Sequence, residues 1–388
     1  MADMNWNMRT VALGETRYPY FYGYDCMDRI VTSIAAYDAD RFIVVTDDNV
    51  LARHGESLLP ALGAHAPVQV LSLPAGENIK SPANLASHLE EAIASGATRR
   101  SVVVAFGGGV PGNLAGVVAA LLFRGVRLVH IPTTTVAAMD SVISLKQAIN
   151  SCSGKNHIGT YHTPEAVYLD VALLRTLGDR ELRSGLCEAT KNCLAIRPDV
   201  VPDLRRVLAR GDLAAPDTLL WLLEESLEAK ISVTAQDRYE QRTGLVLEYG
   251  HTLGHAVELC DQRLRGSAGL SHGEAVMFGM LAAARISAQV GGLTLDDVAL
   301  HDELAHALGA PLVVPAGLET AEVVGVVRRD NKRGYLPVTG EEAAMVVLDE
   351  LGTPMGSREL PLVPVPMDLI RETVAGLRTE RHGLTLQR

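Results

Sequence analysis

His251 and His255 stand four positions apart in Gly250-His251-Thr252-Leu253-Gly254-His255, which puts two imidazoles on one face of a helix. A third, His272, opens the apolar helical stretch that follows Ser271. Glu188 lies on an earlier helical stretch, in Gly185-Leu186-Cys187-Glu188. One carboxylate and two imidazoles, with a position left open, form a standard donor set for a catalytic divalent ion, zinc or cobalt alike. A lone histidine is more often structural; three near helix starts in a glycine-rich setting point to a metal. Lysines form a second constellation. Lys146, Lys155, Lys191 and Lys230 sit among small or apolar residues, and Lys191, three positions after Glu188, shares its helix face. Converging ammonium groups suit a phosphate or an enolate. Each lysine alone reads equally as a surface residue. Arg124, in Phe123-Arg124-Gly125, is a candidate for the same set. The basic stretch Arg328-Arg329-Asp330-Asn331-Lys332-Arg333 reads either as a cover over an anion or as a solvated face.

A third signal is Gly107-Gly108-Gly109-Val110-Pro111-Gly112-Asn113, directly after an apolar strand. Three glycines let a backbone approach a pyrophosphate, and the helix that follows offers free N–H groups and a positive dipole end. The run is not GxGxxG, so a tight strand–helix turn is the competing reading. Thr46-Asp47-Asp48-Asn49 follows another strand. An acid there either accepts ribose hydroxyls or caps the next helix. Pro132-Thr133-Thr134-Thr135 ends a third strand, and its hydroxyls suit a nucleotide or a helix cap.

The elements that must position these residues differ between the two halves. Short apolar strands (Arg41–Thr46, Val68–Leu73, Ser101–Phe106, Leu128–Pro132) alternate with helical patterns such as Pro82–Ser95 and Asn113–Phe123. That alternation predicts a mostly parallel sheet with helices on both faces, and ligands at the carboxyl ends of its strands. From about Asp179 the apolar residues recur at helical spacing, with few strand signals before Ala344–Leu348. The expectation is an α/β domain over 1–180 followed by a helical, metal-binding domain over 181–388.

At 388 residues the chain is long enough for more than one core. A formal net charge of -11 argues against a nucleic-acid partner, while leaving room for a few placed cations around a phosphorylated substrate. Five cysteines without a CxxC pair read as free thiols in a reducing compartment, here the cytoplasm. No signal peptide and no apolar run long enough for a bilayer are visible.

Taken in order, GGGVPGN, PTTTVAAMDS, LKQAIN, GKN, GLCEATKN, EYGHTLGHAVE and SHGEAVMFGM resemble the dehydroquinate-synthase family of sugar-phosphate cyclases over about residues 40 to 290. The resemblance implies a Rossmann-like NAD-binding domain, a helical metal domain and a homodimer. It implies metal ligands at Glu188, His251 and His272. It implies NAD contacts from Asp47, Asn49, Glu77, Lys80, Gly108, Gly109, Val110, Asn113, Thr133, Thr134 and Thr176. Substrate contacts would come from Asp140, Lys146, Lys155, Asn156, Lys191, Lys230, His255 and Lys332, with Arg124 reaching the phosphate of the neighbouring subunit. The implied activity is a carbon–oxygen lyase. It oxidises a sugar phosphate transiently, eliminates phosphate, re-reduces, opens the ring and closes a carbocycle by an aldol step.

Departures from the family pattern bear on substrate. Asn113 replaces the aspartate of GGGVxGD, Ser144-Leu145-Lys146-Gln147-Ala148-Ile149-Asn150 replaces GGKTGIN, and Glu248 replaces the amide of NFGH. Gly244 stands where dehydroquinate synthases carry an arginine for the substrate carboxylate. Losing a cation and gaining Glu248 disfavours an anionic carboxylate and suits a neutral polyol. At these places the chain is similar to the family's glucose 6-phosphate branch, which makes the carbocycle of aminocyclitol antibiotics. Glu248 would bond a sugar hydroxyl or act as a base. The competing activities are dehydroquinate synthesis, cyclisation of sedoheptulose 7-phosphate and, more distantly, metal-dependent polyol dehydrogenation.

Overall fold

Strand runs such as Phe42–Asp47 and Val102–Gly107 are apolar at nearly every position, the pattern of strands covered on both faces. The structure, a computed structural model, describes residues 6–152, 154–330, 332, 334–357 and 359–379. The chain divides into two compact units, one of residues up to 178 together with 214–227, the other of 179–213 and 228 onward.

The first unit holds strands β1 (Asn7–Leu13), β2 (Thr16–Gly23), β3 (Phe42–Asp47), β4 (Val68–Leu73), β5 (Val102–Gly107), β6 (Arg127–Pro132), β7 (Lys146–Ser151), β8 (Gly154–Tyr161) and β9 (Ala166–Asp170). Its helices are α1 (Met27–Ala35), α2 (Asp48–Gly63), α3 (Pro82–Ala94), α4 (Gly109–Leu121) and α5 (Val171–Leu174). Seven strands form one sheet in the order β1-β2-β9-β6-β5-β3-β4. All of its pairs are parallel except β1 with β2, an antiparallel hairpin turned by Gly14 at φ 58°. Alternate residues serve alternate faces. Val44, Val104 and Phe106 pack with Ile30, Ile34 and Leu58 on the side of α1 and α2. Ile43, Val45 and Val103 pack with Leu85, Leu114 and Val118 on the side of α3 and α4. β7 and β8 form a separate antiparallel hairpin.

The second unit holds α6 (Asp179–Ala195), α7 (Val201–Leu208), α9 (His251–Arg265), α10 (His272–Gln289), α11 (Leu295–Ala307), α12 (Thr320–Val327) and α13 (Met367–Thr379). Helix α8 (Pro216–Thr234) is divided between the two units. Two short two-stranded ladders accompany the helices: Glu342–Met345 with Val363–Pro366, and Leu348–Glu350 with Thr353–Pro354. Leu253 and Val257 of α9, Phe278 and Ile286 of α10, Val323 of α12 and Ile370 of α13 share one core. Three glycines let these helices touch backbone to backbone. A Cβ on Gly273 would lie 1.8 Å from the Ser184 carbonyl oxygen of α6, and one on Gly279 would lie 1.8 Å from that of Gly250. One on Gly254 would lie 2.9 Å from the Ala275 oxygen. Among the described residues, no helix is long and apolar enough to cross a membrane. No disulfide joins any of the five cysteines, and four of them are buried.

Candidate functional site

In the α/β unit the candidate cofactor residues gather at the carboxyl ends of neighbouring strands. Asp47 ends β3, Gly108 and Gly109 follow β5, and Thr133 and Thr134 follow β6, three strands adjacent in the sheet. The Thr133 N–H donates to the Gly107 carbonyl at 3.0 Å. A Cβ on Gly108 would sit 3.0 Å from Thr134 Cγ2, so this approach of backbone to side chain favours glycine. Val110 is in the first turn of α4, whose positive end faces the same edge. Asn113, one turn on, donates to the Gly109 carbonyl (2.9 Å) and accepts from the Ala148 N–H (3.0 Å), tying the glycine loop to β7. Asp47 Oδ1 accepts from the N–H groups of Asn49 and Val50, both at 3.0 Å, so the capping reading of this acid is realised in the fold. Thr176 Oγ1 meets His54 Nε2 of α2 at 3.0 Å. A glycine-lined helix start beside hydroxyls and an acid at strand ends fits a dinucleotide.

Glu77 and Lys80 join a network with the β7–β8 hairpin. Lys80 is buried and donates to the Asn156 side chain, with Glu77 Oε1 3.6 Å away. Asn150 Nδ2 donates to Glu77 Oε1 at 2.9 Å, and Asn150 Oδ1 accepts from the Asn156 N–H at 2.9 Å. Burial pulls the Lys80 ammonium below its ordinary range, with Glu77 opposing. Lys146, Lys155 and Asn156 are exposed on the hairpin, and Arg124 is exposed at φ 69° beyond α4, next to Phe123 at φ 52°. Asp140 lies in a π-turn, Ala137–Ser141, pinned by the hydroxyls of Tyr20 on the Ala138 carbonyl (2.9 Å) and Tyr18 on the Val142 carbonyl (2.7 Å).

In the helical unit, Glu188, His251, His255 and His272 converge. Ring nitrogens of the three histidines lie within 4.8 Å of one another. Glu188 Oε1 is 3.3 Å from His272 Nε2 and 3.6 Å from His251 Nε2, yet this buried oxygen takes part in no hydrogen bond. The other ring nitrogens are occupied. His251 Nδ1 lies 3.2 Å from the Tyr249 carbonyl and His272 Nδ1 lies 3.1 Å from Glu258 Oε2. A buried carboxylate oxygen without a hydrogen bond is costly, and a cation held with the two Nε2 atoms would satisfy it. The donors therefore fit a divalent ion.

Charges around the cluster are matched. Burial works to raise Glu188, but Lys191, whose Nζ donates to Oε2 at 2.6 Å, and then His251 and His272 hold it well below the usual carboxylate range. Burial works to lower His272, but the Glu188 and Glu258 carboxylates beside its ring win and push it up to about 10, so metal binding must displace that proton. Burial and then His251 push His255 down to about 4, leaving it neutral near pH 7. Against burial, Lys332, with Nζ 3.1 Å from Oε2, and the two nearby histidines hold Glu248 far below the usual range. Lys332 is itself buried and shared with Asp330 at 3.0 Å. Asn331 and Arg333, in the same basic stretch, lie outside the described residues. Lys230 is buried on α8.

Residues 70–184 match the family model of the 3-dehydroquinate synthase N-terminal region, and residues 185–333 match that of its C-terminal region. The chain belongs to the 3-dehydroquinate synthase family. Within that family it is 46% identical to the 2-deoxy-scyllo-inosose synthase of Streptoalloteichus tenebrarius, over 95% of this chain and 94% of that one. It is 47% identical to the 2-deoxy-scyllo-inosose synthase of Micromonospora echinospora, over 94% and 90%. A crystal structure of 2-deoxy-scyllo-inosose synthase complexed with carbaglucose-6-phosphate, NAD+ and Co2+ superposes with a TM-score of 0.85 at 32% identity, covering 95% of this chain and 99% of that one.

The family motifs led to the donors but not to what holds them. Glu258 orients His272 from 14 positions away, and Gln262 Nε2 in turn holds Glu258 Oε1 at 2.9 Å. The visible signal was its place in the His251 motif, one turn beyond His255. Asn150 and Asp330 were likewise missed, because their partners Glu77 and Lys332 are fixed by packing or by a turn.

Proposed function

We propose that this protein converts glucose 6-phosphate into 2-deoxy-scyllo-inosose and phosphate, the carbocycle-forming step toward an aminocyclitol antibiotic. The observation that carries the reading is the environment of Glu248, an ionised carboxylate pinned by Lys332 beside His251 and His255. Glu248 repels a substrate carboxylate and accepts from a neutral sugar hydroxyl. Gly244 reinforces the choice. Its N–H donates to Asp237 Oδ2 at 2.9 Å, and a Cβ there would lie 3.0 Å from the same oxygen, so any side chain at 244 presses on Asp237.

Glu188, His251 and His272 would hold a divalent ion, zinc or cobalt, and the glycine-loop edge with Asp47, Thr133 and Thr134 would hold NAD. When bound, the ion supplies Lewis acidity toward a substrate oxygen, and NAD takes up and returns one hydride per turnover. The remaining tasks fall to the chain. Lys191 keeps Glu188 ionised. The depressed Glu248 is a weak base, so its part is to orient a hydroxyl rather than to take its proton. His255, neutral at its ring, is suited to accept a proton or to donate to phosphate. Lys146 and Lys155, with Asn156, present unburied donors for the phosphate and for enolate charge. Lys230 and Asp140 are further substrate contacts. Arg124, exposed on a left-handed turn, would serve the phosphate site of a second copy in a homodimer. Cysteines joined by no disulfide suit the cytoplasm.

The test is phosphate release with catalytic NAD and a divalent ion, comparing glucose 6-phosphate, sedoheptulose 7-phosphate and the dehydroquinate precursor. Release from glucose 6-phosphate with a carbocyclic ketone and no net NADH is expected. Release only from another of the three overturns the substrate and the part given to Glu248.

A further inference from the structure

Of the two metal-facing imidazoles, His272 is oriented by a carboxylate, whereas His251, among the described residues, is oriented only by a backbone carbonyl, that of Tyr249. The ring of His251 is therefore aimed as well as residue 249 is placed. Tyr249 is completely buried, and its hydroxyl lies 3.0 Å from Nε2 of His301, also completely buried. His301 Nδ1 lies 2.7 Å from the Asp297 carbonyl, which can only accept. That fixes the tautomer: Nδ1 carries the proton, and Nε2 accepts from the tyrosine hydroxyl. Asp297 is itself locked, since its carboxylate forms the capping box of α11 with Thr294. On the other side, Gly250 takes φ 80° between Tyr249 and His251, and a Cβ on it would lie 2.8 Å from the Val276 carbonyl of α10. The peptide that aims His251 is thus held between α10 and α11.

We infer that Tyr249 and His301 act as one positioning unit, a strut from the first turn of α11 that sets the Tyr249 carbonyl and through it the orientation of His251 toward the metal. Burial lowers the pKa of His301, in keeping with a neutral ring that accepts at Nε2. Neither residue touches substrate; both act through His251. The inference rests on the metal reading proposed above.

The test titrates the protein with Co2+ against a chelator and records the visible spectrum of the bound ion. Tyr249→Phe and His301→Leu should each weaken Co2+ binding by roughly tenfold and shift the spectrum, the scale of an orienting partner's loss. The double variant should be no weaker than either single, because one unit is lost in each case. His301→Gln, which keeps a donor and an acceptor, should recover most of the affinity and should fold even where the leucine variant does not. Ser287→Ala is the control. It removes from α10 a buried hydroxyl that accepts from the Leu348 N–H (3.0 Å), and should lower Tm while leaving the spectrum unchanged. Lower Tm with unchanged affinity and spectrum in the Tyr249 and His301 variants, or single losses that multiply in the double variant, overturns the strut. A wild-type protein that takes up no Co2+ overturns the metal reading and the strut with it.

Discussion

Glu188 and Lys155 belong to two regions built on opposite plans. Around Glu188 the donors are buried or half-buried, charge-matched and carried on helices whose backbones touch. Around Lys155 the donors are exposed on a two-stranded hairpin, linked to α4 through Asn113 and to the Glu77–Lys80 turn through Asn150 and Lys80. The first plan fixes geometry before a ligand arrives. The second leaves long side chains exposed, and ordering them on a ligand costs up to about 2 kcal/mol each. A substitution in the first region should therefore damage fold, metal and turnover together. In the second it should damage substrate use alone.

The largest effect is expected from Glu188→Ala, which removes a ligand and strands Lys191 as an unpaired buried charge. Bound metal, measured by elemental analysis, and phosphate release should both fall to background; normal turnover without metal would refute the ligand assignment. Gly273→Ala comes next. The added methyl meets the Ser184 carbonyl oxygen, and overpacking of this kind costs roughly 1–3 kcal/mol. Because His272 is the neighbouring residue, Tm and metal affinity should drop together. A drop in Tm with intact affinity would show that the cluster tolerates a shift of α10, weakening the contrast between the regions. Lys155→Ala should lower kcat/KM for glucose 6-phosphate by about tenfold or more, as for the loss of a charged hydrogen bond. Its Tm should stay nearly constant, since exposed positions usually move stability by no more than about 0.5 kcal/mol. A large change in Tm would place this hairpin in the first class.

The smallest effect is confined to acid. Burial and then His162 push His130 of β6 down to about 4. Its folded pKa lies below the unfolded value, so the stability at issue is fully present above about pH 6.5 and is lost as pH falls toward 4. Near pH 5.5 the loss is on the order of 1 kcal/mol. Chemical denaturation across this range should show the slope, and His130→Asn should flatten it. An unchanged slope would mean that another buried group governs acid stability.

The sequence made some of this legible and hid the rest for physical reasons. The i, i+4 histidines, the Ser271-His272 helix start and the Glu188–Lys191 pair are local, so spacing alone brought them together. The four apolar strands likewise appear within a residue of their observed bounds. Glu258 with His272, and Tyr249 with His301, meet only because helices pack, and no local rule pairs residues 14 or 52 positions apart. The β7–β8 hairpin escaped notice because its residues are polar and β8 buries almost nothing, leaving no period-2 pattern. Asp47 shows a different limit. Capping and ribose binding ask for the same residue at the same place, and the fold uses the first through Oδ1.

Contacts of backbone on backbone at Gly250, Gly254, Gly273 and Gly279 also constrain how such a protein can diversify. Helices in this arrangement cannot spread to admit a larger sugar, because there is no side chain between them to trim. New substrates must come from exchanges at the ends of the frame, at positions such as 244 and 248. A lineage can thus change what it cyclises through a few point substitutions while its metal chemistry is inherited whole.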